Sequence, residues 1–216
     1  MAVEIDRKEI YRYLGYRGLE VDSATKVLTE SCVDELMRTA MPKAVFKEYP
    51  IAIMKDGSID FGNFQVKSNH LGKNLGGCDR VLLVAVTLGL DVDRLLTKYG
   101  KLQVSRAVVM QAAAAAMIEA YCNERCAEWK HQYEKQGRYL RPRYSPGYGD
   151  FSLEFQPVIL NELDAGKQIG ISLTEGGLMV PTKSVTAVIG LSKIKGSCHV
   201  VGCESCDNEK CLYRRI

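Results

Sequence analysis

Apolar residues recur with a helical period over residues 6–14 and 24–41, the i, i+3, i+4 spacing that lays one apolar stripe along a helix. Asp22 or Ser23 supplies the N-cap of the second segment and Pro42 ends it. Within that segment Val27, Leu28, Cys32, Leu36 and Met37 are expected on the core face. Short strand-like runs follow at 44–49, 51–54 and 59–64, with Asp56-Gly57 as a hairpin turn. Ser68 caps a short helix that runs to Leu75 and is stopped by Gly76-Gly77. Residues 80–88 are almost unbroken apolar, which predicts a strand buried on both faces in the middle of its sheet. A helix is expected over 91–99, and then the longest one over 104–136. Its alanine run at 112–116 has high helix propensity and lets a neighbouring element approach closely. Beyond Cys126 the residues Glu128, Lys130, Glu134 and Lys135 predict an end that projects into solvent. A helix over 154–163 holds Pro157 in its first turn, and strands follow at 171–174 and 184–191.

Helices and strands do not alternate as regular βαβ units. The expected fold is therefore α+β: a mainly antiparallel, twisted sheet with flanking helices, one of them long. Residues 1–192 read as one domain and residues 193–216 as an irregular, cysteine-rich tail. The length of 216 residues is enough for a substantial core. The 29 basic and 26 acidic side chains leave a net charge of +3, too balanced to argue for nucleic acid. The apolar stretches at 81–90 and 108–118 are too short for a membrane span, or are broken by Gln111. With Glu4, Asp6 and Glu20 in place of a basic and then apolar leader, a cytoplasmic location is expected. No G-x-G-x-x-G opens a helix, and no nucleophilic triad, paired-carboxylate site or phosphate loop can be assembled.

Chemistry concentrates first in residues 143–149, Arg-Tyr-Ser-Pro-Gly-Tyr-Gly. The segment has no apolar periodicity and reads as a loop. Pro146 fixes φ and Gly147 opens conformations closed to other residues. Arg143 offers a planar fork suited to a carboxylate, and Tyr148 a flat face with a polar tip. Together they suit a small zwitterion that carries an aromatic base, although Pro-Gly is also ordinary turn punctuation.

This segment resembles the R-x-x-x-G-Y signature of the activation domain of cobalamin-dependent methionine synthase. The resemblance extends in order through a helix at 155–163, Leu173-Thr174-Glu175, Met179, Pro181, and Ser184-Val185. The whole chain looks most like free-standing relatives of that domain. The resemblance implies binding of S-adenosylmethionine. Arg143 would take the methionine carboxylate, main-chain groups at Ser145 and Gly147 the adenine or amino-acid part, and Tyr148 would pack on the ligand. Ser145 replaces the family's usual Ala, and Gly149 stands where the family has Pro, which is expected to loosen the loop. A sulfonium and an ammonium want negative charge nearby. Glu119 on the long helix is the candidate, with an ordinary helix glutamate as its alternative, and Glu175 in the Leu-Thr-Glu strand is a structural or ligand-binding candidate.

The second concentration is Cys198-x4-Cys203-x2-Cys206-x4-Cys211. Four thiols in one short loop-rich segment suit zinc or an iron–sulfur cluster, with a disulfide or redox-active thiols as the alternative. His199 is near enough in sequence to replace one thiolate. Cys32, Cys78, Cys122 and Cys126 read as core or helix-face residues.

The resemblance implies a function: reductive methylation of inactive cob(II)alamin on a separate methionine synthase. The partners would be that cobalamin-bearing protein, or another corrinoid protein, and an electron donor. Two other readings stand beside it. One is a metal-binding electron-transfer accessory that activates a corrinoid protein without S-adenosylmethionine. The other is a structural subunit that shields cobalamin.

Overall fold

The computed structural model describes residues 3–16 and 18–195; Cys198, Cys203, Cys206 and Cys211, with His199, lie outside the described residues. The chain divides into two compact units. The first takes the chain up to Lys43, Val86–Cys126 and Ile169–Ser184; the second takes Ala44–Ala85, Ala127–Gln168 and the chain from Val185 on.

The first unit is mainly helical. Helix α1 (Arg7–Tyr13) starts at Asp6, whose carboxylate accepts the Lys8 N–H at 2.8 Å. Helix α2 (Ser23–Thr39) starts at Asp22, which accepts the Thr25 N–H at 2.8 Å. Each cap satisfies a donor that the first turn leaves without an intrahelical partner. The buried face of α2 is Thr29, Cys32, Val33 and Leu36, while Val27 is 71% exposed. At about 100° per residue, the two steps from Val27 to Thr29 turn Val27 to the opposite side of the helix. Its expected place in the core is thus corrected. Helix α4 (Leu90–Leu102) buries Val92, Leu95, Leu96 and Tyr99. Between α2 and α4 the Tyr99 hydroxyl donates to Glu35 at 2.8 Å, and Arg106 pairs with the same carboxylate at 2.6 Å.

The second unit is built on a four-stranded sheet. Its order is β1 (Lys43–Pro50), β5 (Cys78–Thr87), β9 (Ser184–Ser192) and β6 (Tyr139–Leu140). Bonds from Met41 N–H to Leu88 O and from Ile51 N–H to Asp79 O frame β1 and β5 as antiparallel. Leu88 N–H to Lys183 O and the Ser192 hydroxyl to Gly77 O frame β5 and β9 in the same way. The two inner strands carry the fully buried Val81, Leu82, Leu83, Ala187 and Leu191, as the unbroken apolar run predicted. A smaller sheet joins β2 (Ala52–Ile53), β3 (Ser58–Asp60) and β4 (Gln65–Lys67). The expected strand over 59–64 stops early, because the Phe61 N–H donates to Phe64 O at 2.9 Å and turns the chain. Helix α3 (Asn69–Asn74) follows, capped by Ser68 as expected.

Helix α5 (Val104–Glu134) runs through both units, and the alanines at 112, 113, 114 and 116 are buried. Its charged end exposes Glu128, Lys130, Glu134 and Lys135 as expected, but one face of it is packed. Trp129 and Tyr133 are buried there, with the Trp129 ring 5.3 Å from Phe46 and the Tyr133 hydroxyl donating to Glu48 at 2.8 Å. Burial first, and Glu48 second, push that hydroxyl up to about 12. Two aromatics four residues apart share one face, so the charged residues between them mark only the other face. After α5 come α6 (Phe155–Glu162) and α7 (Ala165–Ile169), the latter not foreseen, and then a hairpin of β7 (Ser172–Leu173) and β8 (Met179–Val180).

Candidate functional site

The site begins where the edge strand β6 leaves the sheet. Leu140 pairs with Leu191, and the next antiparallel bridge joins Tyr144 to Val188. Four steps on one strand, 140 to 144, therefore face three on the other, 191 to 188. The extra residue is a β-bulge within Arg141-Pro142-Arg143. A proline fits there because a bulge leaves a ladder position without a donor. The Arg141 N–H still donates to Gly190 O at 2.8 Å, and Tyr144 and Val188 exchange both bonds, at 2.9 and 2.8 Å. Arg143 is thus fixed on the backbone one residue before a paired position, and its side chain is half-buried.

Beyond Tyr144 the chain makes two linked turns. The Tyr148 N–H donates to Ser145 O at 3.2 Å, the Phe151 N–H to Tyr148 O at 3.0 Å, and the Gly147 N–H to Phe151 O at 2.7 Å. Pro146 is buried, Tyr148 is 65% exposed, and Phe151 is 1% exposed. The loop stands on a chain of rings. Tyr144 lies 6.3 Å from Tyr148 and 6.4 Å from Phe151, Phe151 lies 5.7 Å from Phe155, Phe155 6.5 Å from Phe64, and Phe64 stacks on Phe61 at 4.5 Å. Such pairs add a directional preference to the apolar area they bury.

Gly149 does not loosen this loop. It sits at φ +54°, in the left-handed region, and a Cβ there would collide with the His70 ring and lie 2.6 Å from the Tyr144 hydroxyl. A proline ring, locked near φ −65°, cannot adopt this backbone. The expectation of a looser loop is therefore replaced by one of a tightly seated glycine.

The next residue closes the loop. Asp150 accepts hydrogen bonds from the Ser68 hydroxyl at 2.5 Å, the Asn69 N–H at 2.7 Å and the His70 N–H at 3.1 Å. These donors, the Ser68 hydroxyl foremost, hold its carboxyl down to about 2. Burial and the neighbouring Asp150 push the Tyr144 hydroxyl up. Beside them is an open depression of about 550 Å³ lined by Ile53, Gly57, Asn69, His70, Lys73 and Asp150. The Ser68 cap was readable in the sequence, but nothing near Asp150 announced a partner 82 residues away.

Arg143, Ser145, Gly147 and Tyr148 thus come together in the second unit. The two candidate carboxylates belong to the first unit. Glu119 is half-buried on α5, and its charge helps to raise the Tyr13 hydroxyl, after burial itself. Tyr13 carries Arg12 over its ring at 4.4 Å. Glu175 is exposed in the β7–β8 turn rather than in a strand, because β7 ends at Leu173.

Among the described residues, no group of three or more His, Cys, Asp or Glu is placed to hold a metal ion. Cys32 and Cys122 are buried and Cys78 and Cys126 half-buried, in line with core or helix-face roles. No described helix is long and apolar enough to cross a membrane.

The family model for "Vitamin B12 dependent methionine synthase, activation domain" matches residues 68–208, a span that holds the loop, Asp150 and Ser68. No curated protein matches the chain in sequence. Thirteen chains of solved structures match it. One of them, "Crystal Structure of the MetH Reactivation Domain bound to AdoHcy", aligns with a TM-score of 0.66 at 18% identity, over 89% of this chain and 75% of that one. At that identity the likeness is one of fold.

Proposed function

The chain belongs to the activation-domain family of vitamin B12-dependent methionine synthases, and from that premise we propose that it binds S-adenosylmethionine and supports reductive methylation of a cobalamin carried on a separate synthase chain. The observation that carries this reading is the braced loop. Within six residues it carries a half-buried arginine, Arg143, and an exposed tyrosine, Tyr148, on a backbone held at both ends.

Each part suits a portion of the ligand. The Arg143 fork matches a carboxylate with two parallel bonds. The Gly147 N–H is engaged by Phe151 O and Pro146 has none, so main-chain recognition at these two positions falls to carbonyl oxygens. Carbonyls favour an ammonium or an exocyclic amine over an anion. Tyr148 presents a flat apolar face to solvent, on which a ligand can pack. This reading rests on Arg143, Ser145, Gly147 and Tyr148 alone, all in the second unit.

The protein's part in the reaction is proximity and orientation, and the bond chemistry belongs to the ligands. Cobalamin presented by the partner, with an electron from a separate donor, would supply the reduced acceptor for the sulfonium methyl, and S-adenosylhomocysteine would be left on this chain, where Arg143 and Tyr148 would hold it.

Calorimetric titration with S-adenosylmethionine tests the binding step. Saturable binding is expected, weakened roughly tenfold or more by Arg143→Ala, as for loss of a charge-assisted pair. Unchanged affinity in that variant, or no binding even with the cobalamin protein present, would remove the reading.

A further inference from the structure

We propose that Asp150 is the positioning residue of the ligand loop: its carboxylate, clasped to the first turn of α3, fixes the backbone of Gly147 and Tyr148 in the shape that meets the ligand. This deepens the reading above and rests on it.

The geometry argues for a clasp rather than an incidental surface contact. Both carboxylate oxygens are used, Oδ1 by the Ser68 hydroxyl and the His70 N–H, and Oδ2 by the Asn69 N–H. With both oxygens bonded, the side chain has one orientation. Ser68 completes the arrangement: its hydroxyl donates to Asp150 at 2.5 Å while accepting the Leu71 N–H at 3.0 Å. One buried hydroxyl therefore caps the helix and holds the loop, using its donor for one and an acceptor site for the other.

The clasp acts on the loop at a defined place. At one end Tyr144 is paired with Val188; at the other Asp150 is held by α3. Only residues 145–149 lie between the two anchors, and two of their amides, those of Gly147 and Tyr148, are bonded within the turn. Gly149, the link between Tyr148 and Asp150, is seated against His70 and Tyr144 with no room for a side chain. Moving the carboxylate would therefore move the Tyr148 backbone. Phe151, fully buried, already ties the chain to the core, so the clasp adds order to the loop beyond what folding of the unit needs. A loop ordered before binding loses less entropy on meeting its ligand.

The test compares wild type, Asp150→Ala, Asp150→Asn, Asp150→Glu and Arg143→Ala. Each is titrated calorimetrically with S-adenosylmethionine, and each is followed by amide hydrogen exchange without ligand. Asp150→Ala is expected to weaken binding roughly tenfold and to speed exchange at the Gly147 amide. Asp150→Asn, which keeps one acceptor oxygen but sets an NH2 group against a donor in place of the other, is expected to restore only part of both. Arg143→Ala is expected to weaken binding and leave Gly147 exchange as in wild type. That contrast separates a positioning residue from a ligand contact. Should the alanine variant fail to fold, Asp150→Glu, with its carboxylate displaced by one methylene, should shift both readouts in the same direction. Wild-type affinity in Asp150→Ala, or weakened affinity with unchanged Gly147 exchange, overturns the proposal. If wild type binds no S-adenosylmethionine even with the cobalamin protein present, the functional reading falls and takes this one with it. Unchanged Gly147 exchange in Asp150→Ala sinks the clasp whatever the ligand result.

Discussion

Two glycine-bearing loops that the sequence presents alike are held in opposite ways. The β7–β8 turn is closed by bonds among its own residues. Thr174 N–H donates to Leu178 O and Gly177 N–H to Thr174 O, both at 2.9 Å, while the Leu178 N–H donates to the Thr174 hydroxyl at 3.1 Å. Every one of these bonds spans at most four residues. The loop from Tyr144 to Phe151 has similar internal turns but depends on distant strands and helices. Its first anchor is Val188, its second is Ser68 with the amides after it, and its floor is the Phe151 ring on Tyr144 and Phe155. The turn carries its shape locally, whereas the loop has its shape imposed by the unit around it. The first arrangement suits a connection, and the second suits a surface that must be ready for a ligand.

The largest expected difference lies in the anchoring side chains. Phe151→Ala should destabilise the protein by about 3–5 kcal/mol, the usual loss for a fully buried aromatic. Leu178→Ala, in the turn and 70% exposed, should stay within about 0.5 kcal/mol. Urea unfolding measures both, and a Phe151→Ala loss as small as that of Leu178→Ala would dissolve the contrast.

Smaller but sharper is the pair Gly149→Ala and Gly177→Ala. Both glycines have positive φ, +54° and +77°, so each alanine carries a backbone penalty of about 1 kcal/mol. At Gly177 a Cβ meets nothing within 4 Å; at Gly149 it meets His70 and Tyr144. Gly149→Ala should therefore be worse by a further ~1–2 kcal/mol, reduced from a full overpacking cost because the His70 ring can swing outward. Equal unfolding midpoints for the two variants would show that Gly149 is not seated as described.

The smallest effect is expected from pH. The Asp150 carboxyl is lowered from its ordinary 3.8 to about 2. A depressed carboxyl contributes ordering that is complete above its unfolded value and is lost as pH falls through its folded value. Gly147 exchange, taken relative to its intrinsic rate, should therefore rise between about pH 4 and pH 2 in wild type and stay flat in Asp150→Asn. A flat wild-type profile over that window would remove the charge from the clasp. The turn at 174–178 should show no counterpart to this change.

Much of the fold was legible in the sequence, and so was the loop that carries the candidate ligand residues. The caps at Asp22 and Ser68, the β2–β3 hairpin, the central strand and the long helix all follow from patterns within a few residues. Arg143, Ser145, Gly147 and Tyr148 were likewise found as a motif, and the structure places them on one braced loop. The end of α5 was legible on its charged face only, because a run of charges hides two inward aromatics, Trp129 and Tyr133, that only the surface they pack on makes visible.

By itself the sequence determined where helices and strands form and which residue types meet in the loop, because caps, turn residues and apolar periodicity act over one to four positions. Only the tertiary structure decided that Gly149 tightens the loop rather than loosening it, that Glu175 sits in a turn, and that Asp150 reaches Ser68. Those outcomes depend on which surfaces pack together across dozens of residues, and a contact between positions 82 apart leaves no periodic trace in either segment.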